Sequence, residues 1–177
     1  MHLVFPDISY KDKAMDYIRE FYEYGSEING SGSLDRYLRK STYEDWLKKI
    51  LGDMDIANIP ASKVPALTYF YVREEDDKIV GMVNIRLALN DALRSEGGHI
   101  GYSVRPTERR RHYGTQLLSA ALKVCVTITI LWPVALRSDK ISKTLSVFCE
   151  FNAPVGSSAK RTSGALITPL TTATLCC

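Results

Sequence analysis

The sequence predicts an α/β fold in a single domain, and three observations predict it. Helical and strand periodicities succeed one another along the first 125 residues, and one strand runs directly into an arginine-rich loop and a helix. A chain of 177 residues with 45% apolar and 24% charged content suits one buried core, and excludes collagen-like, coiled-coil and wholly disordered chains.

Residues 2–5 read as a short strand stopped by Pro6. Ser9 then serves as an N-cap with Asp12 three residues on, and Ala14, Ile18, Phe21 and Tyr22 recur at helical spacing, which predicts a helix over 10–24. Residues 29–33, Asn-Gly-Ser-Gly-Ser, form a flexible loop. Ser41-Thr42-Tyr43-Glu44 has the capping-box form, and Trp46, Leu47 and Ile50 follow on one face, so a second helix spans 42–51.

After Pro60 and Pro65 the period falls to two: Leu67, Tyr69 and Tyr71 alternate with Thr68, Phe70 and Val72. The charged turn at 74–78 then leads to 79–87, a β-hairpin. A loop with Asn90, Asp91 and Gly97-Gly98 brings the chain to a strand over 99–104. A polar, basic connection at 105–114 follows, then a helix over 115–125 carrying Leu117, Leu118, Ala121 and Leu122.

The final 52 residues differ from the rest. Residues 1–125 hold 18 Lys+Arg and 18 Asp+Glu, whereas 126–177 hold 5 and 2; all ten tyrosines lie at or before Tyr113, and the tail has 14 Ser or Thr. The formal +3 charge therefore arises wholly in the tail, and with no extended basic face it does not point to nucleic acid. A strand is expected over 126–134 and weakly ordered chain after it, so the C-terminal part reads as irregular or incomplete. Adjacent Cys176 and Cys177 are poorly placed for an ordinary disulfide. The acidic and basic residues Asp7, Lys11, Asp12 and Lys13 break up any secretory signal, and the mostly apolar run at 124–136 is shorter than the ~20 residues of a membrane helix. A soluble, cytoplasmic protein without membrane partners is the expectation.

Chemistry concentrates between Gly98 and Thr115. A strand feeding a cationic loop and a helix start aims unpaired N–H groups and the positive end of a helix dipole at one place, which suits a phosphate. Gly114 lets backbone approach the ligand, and Thr115 can cap the helix or bond a phosphate oxygen. A solvated charge cluster is the alternative for Arg109, Arg110 and Arg111.

Arg109, Arg110, Arg111, His112, Tyr113 and Gly114 stand in the pattern Arg or Gln, two variable residues, Gly, one variable residue, Gly or Ala. In this the chain resembles the GNAT acetyltransferase family over residues 2–125, including the strand at 99–104, the hairpin with Ile79-Val80-Gly81 and the two early helices. The resemblance implies a mixed β-sheet flanked by helices. It also implies acetyl-CoA as cosubstrate, its pyrophosphate held by backbone amides from Arg110 to Thr115 and its pantetheine arm alongside Tyr102, Ser103 and Val104. An amine then attacks the thioester directly, with a strand N–H polarising the carbonyl.

His112 departs from the family's first glycine, and if that position needs positive φ a non-glycine residue is disfavoured. The tyrosine that acts as leaving-group acid in the family has no counterpart after Tyr113. Glu96 and His99 are the general-base candidates, a solvated carboxylate and a hydrogen-bonded structural histidine being the alternatives. Tyr69, Tyr71 and Tyr102 read as half-buried strand residues, and no spacing suits a metal. The expected function is acetyl transfer to a primary amine of a small molecule or peptide, with a homodimer as the expected assembly. The alternatives are a non-catalytic remnant, diverged or frameshifted near codon 125, and a module that binds another phosphorylated ligand.

Overall fold

The computed structural model describes residues 1–55, 59–60 and 62–135, and for 129–135 the backbone alone. Its elements are β1 (His2–Val4), α1 (Lys11–Glu23), α2 (Leu34–Tyr37), α3 (Tyr43–Gly52), β2 (Ala66–Arg73), β3 (Lys78–Arg86), α4 (Asp91–Ser95), β4 (Ile100–Val104) and α5 (Tyr113–Ala135), with 3-10 turns at Ile8–Tyr10 and Pro106–Glu108. Strands β2, β3 and β4 make a meander, and β1 joins the outer edge of β2, giving the order β1-β2-β3-β4.

The α/β class expected from the sequence holds, with helices on both faces. Every neighbouring strand pair is antiparallel, so among the described residues the sheet is not mixed.

The two-residue period of β2 sorts the core. Phe70 and Val72 join Tyr17, Phe21, Leu34 and Trp46 from α1, α2 and α3 on one face. Leu67, Tyr69 and Tyr71 face the other way, against Leu117, Ala121 and Val124 of α5. Trp46 is fully buried, lies stacked 5.9 Å from Phe70 and donates its indole N–H to the Gly32 carbonyl at 3.1 Å. A helix layer on each side explains why β2 is buried on both faces.

Strand β3 changes phase partway along. The register slips where Tyr71 faces Gly81 and Val72 faces Ile79, leaving Val80 as an extra residue. Such a bulge turns its neighbours over: Ile79 and Met82 both face α1, Val80 and Val83 both face α5. Gly81 follows the bulge, and a methyl group there would lie 2.9 Å from the Leu117 side chain and 3.0 Å from the Ser103 carbonyl oxygen. Gly81→Val should therefore push α5 from the sheet and destabilise the protein by roughly 1–3 kcal/mol. Urea unfolding checks this, and an unchanged midpoint contradicts it.

Three local expectations are corrected. Asp7, not Ser9, caps the first helical turn, accepting from the Ser9 N–H at 2.7 Å. Thr42, not Ser41, caps α3, with its hydroxyl oxygen accepting from the Asp45 N–H at 3.2 Å. The strand expected over 126–134 is absent, because α5 runs through it to Ala135.

Valine, isoleucine and threonine favour strands, but a helix already under way adds a hydrogen bond per residue without a new nucleus. No glycine intervenes to stop it before Leu131, and the Thr127 hydroxyl is satisfied within the helix by the Lys123 carbonyl at 2.9 Å. The boundary expected at residue 125 thus falls inside α5, and the weakly ordered tail expected beyond it concerns 136–177, outside the described residues. Among the described residues no helix is long and apolar enough to cross a membrane.

Candidate functional site

Strand β4 is the edge of the sheet among the described strands, and the loop that leaves it is held from beneath by two buried charges. Arg105 is 2% exposed and Glu108 is 4% exposed. The Arg105 backbone N–H donates to the bulged Val80 carbonyl at 2.9 Å, and its Nε to the Ile79 carbonyl at 2.9 Å. Its Nη1 reaches Asp16 at 2.9 Å and Glu20 at 2.8 Å on α1. Glu20 also accepts from the Thr107 N–H and hydroxyl, so α1 grips the loop twice.

Glu108 gathers three cations. Arg73 binds it through both terminal nitrogens, at 3.0 and 3.2 Å, and Lys78 and Arg111 each approach to 3.1 Å. Burial raises the Glu108 carboxyl, but the hydrogen bonds from Arg73 and Lys78 outweigh it and hold the group below the usual carboxylate range. Burial likewise raises Glu20, and the Thr107 donors and Arg105 outweigh it.

A carboxylate whose pKa is lowered in the folded state contributes stability above its unfolded pKa, about 4.3 for Glu, and loses it as pH falls through the folded value. Stability should therefore hold from pH 7 to about pH 5 and fall below about pH 4. Urea midpoints across that range test this, and an acid slope unaltered in Glu108→Gln removes Glu108 as a cause.

Above these anchors the loop is strained. Arg110 and His112 both adopt the left-handed region at φ 62°, a conformation that disfavours L-residues by roughly 1–2 kcal/mol each. The histidine-for-glycine departure noted in the sequence thus falls on a position that does adopt positive φ. The His112 carbonyl accepts from the Gln116 N–H at 3.1 Å, so α5 starts immediately after it, and the N–H groups of Tyr113, Gly114 and Thr115 have no acceptor within their own helix.

These residues line a cleft of about 520 Å³ together with Tyr102, Val104, Glu108, Arg109 and Arg110. Tyr102 is 40% exposed there. Gly114 does not have positive φ; a methyl group on it would sit 3.8 Å from both Tyr102 and Val104, pointing into the space between β4 and α5.

Of the ten residues expected to hold a cofactor, eight line this cleft and two do not. Ser103 turns to the opposite face, where Tyr17 donates its hydroxyl to the Ser103 carbonyl at 3.0 Å and the Ser103 hydroxyl donates to Asn29. Arg111 is occupied by Glu108. Arg109 lines the cleft but is also held, with Nε on the Val104 carbonyl at 3.2 Å and its guanidinium 5.4 Å from the Phe21 ring centre. Among the described residues Arg110 is the arginine of the three with no side-chain partner.

Glu96 and His99 lie elsewhere. Both are exposed and precede β4, at the end opposite the loop, a strand length of roughly 17 Å away. His99 Nδ1 is 3.0 Å from the Arg86 carbonyl, the structural alternative foreseen for it. Sequence reasoning missed Arg105, Glu108, Glu20 and Arg73; a single glutamate within an arginine-rich loop was the available signal for Glu108.

Residues 32–133 match the family model described as the Acetyltransferase (GNAT) family, a span that starts and ends later than the expected 2–125. No curated protein and no solved structure matches the chain.

Proposed function

The chain belongs to the GNAT acetyltransferase family, and from that premise we propose that it transfers the acetyl group of acetyl-CoA to a primary amine of a small molecule or peptide. The observation that carries this reading is the cleft where an open strand edge, a left-handed loop and a helix start converge. Its residues fit the cofactor. The first-turn N–H groups of Tyr113, Gly114 and Thr115 and the unpaired Arg110 guanidinium would hold a pyrophosphate. Gly114 leaves open the space that a side chain would fill, and Tyr102 and Val104 would flank the pantetheine arm.

Acetyl-CoA, when bound, supplies an acetyl thioester, whose carbon–sulfur bond is exchanged for an amide bond as the amine gives up a proton and the thiol is released. The chain's contribution is placement: β4 and α5 fix one reactant, and holding both in register supplies much of the rate. Tyr71, whose hydroxyl donates to Gln116 at 3.4 Å, and Tyr17 keep structural roles.

A second reading, a remnant without catalysis, is favoured by His112 at φ 62° and by the changed composition after residue 125. Calorimetric titration with acetyl-CoA, followed by thiol release on adding amines, separates the two. Binding with release supports the enzyme, binding without release supports the remnant, and no binding removes both.

A further inference from the structure

Behind β4 lies a second cavity, also about 520 Å³, walled by the loop between α1 and α2, by α3 and by the ends of β2 and β3. Nothing in the cofactor reading uses it. Its walls meet the cofactor strand at Asn29, which accepts from the Ser103 hydroxyl, and at Gly30. Gly30, at φ 73°, packs so closely on β4 that a methyl group there would overlap the Gly101 carbonyl and come within 2.6 Å of the Tyr102 Cα. A ligand lying along β4 from the cleft past Tyr102 therefore arrives at Gly101, beside a wall of this cavity.

A fixed cation stands at that junction. Arg86 donates through Nη1 to the carbonyls of Gly97 at 3.0 Å and Gly98 at 2.6 Å. Its Nη2 lies 3.8 Å from the position a methyl group on Gly101 would take. Two carbonyls hold the guanidinium in place without neutralising it, and among the described residues it has no carboxylate partner.

The remaining charge of the lining points the same way. Lys49 and Asp53 neutralise each other at 2.5 Å. Arg36 and Lys63 make no ion pair among the described residues, and Asp35 is the lone carboxylate set against them and Arg86. A cavity with three uncompensated cations and one carboxylate selects an anion, and a pre-oriented guanidinium suits a carboxylate.

We propose that the acceptor is an amine that also bears a carboxylate, an amino acid or an acidic peptide, with Arg86 binding the carboxylate while the amine faces the thioester at Gly101. The proposal rests on the acetyltransferase reading. On transfer the amine nitrogen bonds to the acetyl carbon, the carbon–sulfur bond breaks, the amine proton is lost and coenzyme A leaves as thiol; the carboxylate is unchanged.

The test compares amines in pairs. Thiol release from acetyl-CoA is measured with L-amino acids and acidic dipeptides, with the same compounds amidated at every carboxyl group, and with phosphoethanolamine, while binding of the same compounds in the presence of coenzyme A is read by thermal shift. The acids should have a KM at least tenfold below that of their amides, or bind where the amides do not. Arg86→Gln should shrink that ratio at least tenfold. Because Arg86 also braces the Gly97–Gly98 turn, Lys63→Ser provides a second variant that should narrow the ratio with the turn intact.

Equal treatment of acids and amides in both assays, or a ratio unaltered by both substitutions, overturns the proposal, as does a preference for phosphoethanolamine over every acid. Failure of the underlying reading is distinct, since it shows as no calorimetric response to acetyl-CoA.

Discussion

Arg105→Ala should lower the stability of the protein by about 3 kcal/mol, the lower end of the range for breaking a buried ion pair from one side. The guanidinium is 3% exposed, and its loss leaves the Ile79 carbonyl and the largely buried Glu20 carboxylate short of donors. Two features moderate the loss. Asp16 is 45% exposed and retains Arg19, and Glu20 keeps both Thr107 donors. Arg105→Lys should recover only part of it, because one ammonium cannot reproduce a planar fork that spans a carbonyl and two carboxylates. Urea unfolding of the two variants against the parent measures both, and a loss below about 1 kcal/mol for the alanine variant contradicts the assigned role.

Gly114→Val should leave the fold intact and weaken acetyl-CoA binding about tenfold to a hundredfold. The structure separates these two effects. Gly114 lies in the first turn of α5 without positive φ, and the nearest atoms to a methyl group there are at 3.8 Å, so the chain itself accommodates a side chain. Replacing a helical glycine removes a penalty of up to roughly 1 kcal/mol, so the melting temperature should hold or rise. A pyrophosphate has no such room: losing one charge-assisted hydrogen bond to the helix start, roughly 1.5–3 kcal/mol, accounts for the expected factor. Calorimetry with acetyl-CoA and a thermal melt on the same sample decide it. Unweakened binding means that the backbone of α5 is not the ligand's seat, and a fallen melting temperature means that Gly114 is structural.

Local signals were legible in the sequence, and distant ones were not. The alternation of Leu67, Tyr69 and Tyr71 with Phe70 and Val72 sorts the two core faces correctly, because side chains two residues apart share a face in any strand. The cleft between β4 and α5 was legible because strand, loop and helix start are consecutive. Helices α2 and α4, of four and five residues, are too short to display a period; α4 fell within an expected loop, and α2 just beyond one, in residues for which no element was expected. The anchors of the site join residues far apart in the chain: 85 and 89 positions separate Arg105 from Glu20 and Asp16, and 35 separate Arg73 from Glu108. No window of sequence contains both ends of such a pair. The cavity holding Arg86 was hidden for the same reason, since Gly30 and Gly101 meet only after β4 has joined the sheet.

The convergence of Arg73, Lys78 and Arg111 on Glu108 also sets what kind of attraction the loop exerts at a distance. Glu108 offsets one of the three positive charges gathered on it and Asp76 another at Arg73, so the cluster stays net positive, an attraction screened beyond a Debye length of about 8 Å in physiological salt. The first-turn N–H groups of α5 act only over hydrogen-bond distances, so the long reach of this end of the sheet comes from its side-chain charges and its short-range donors come from backbone.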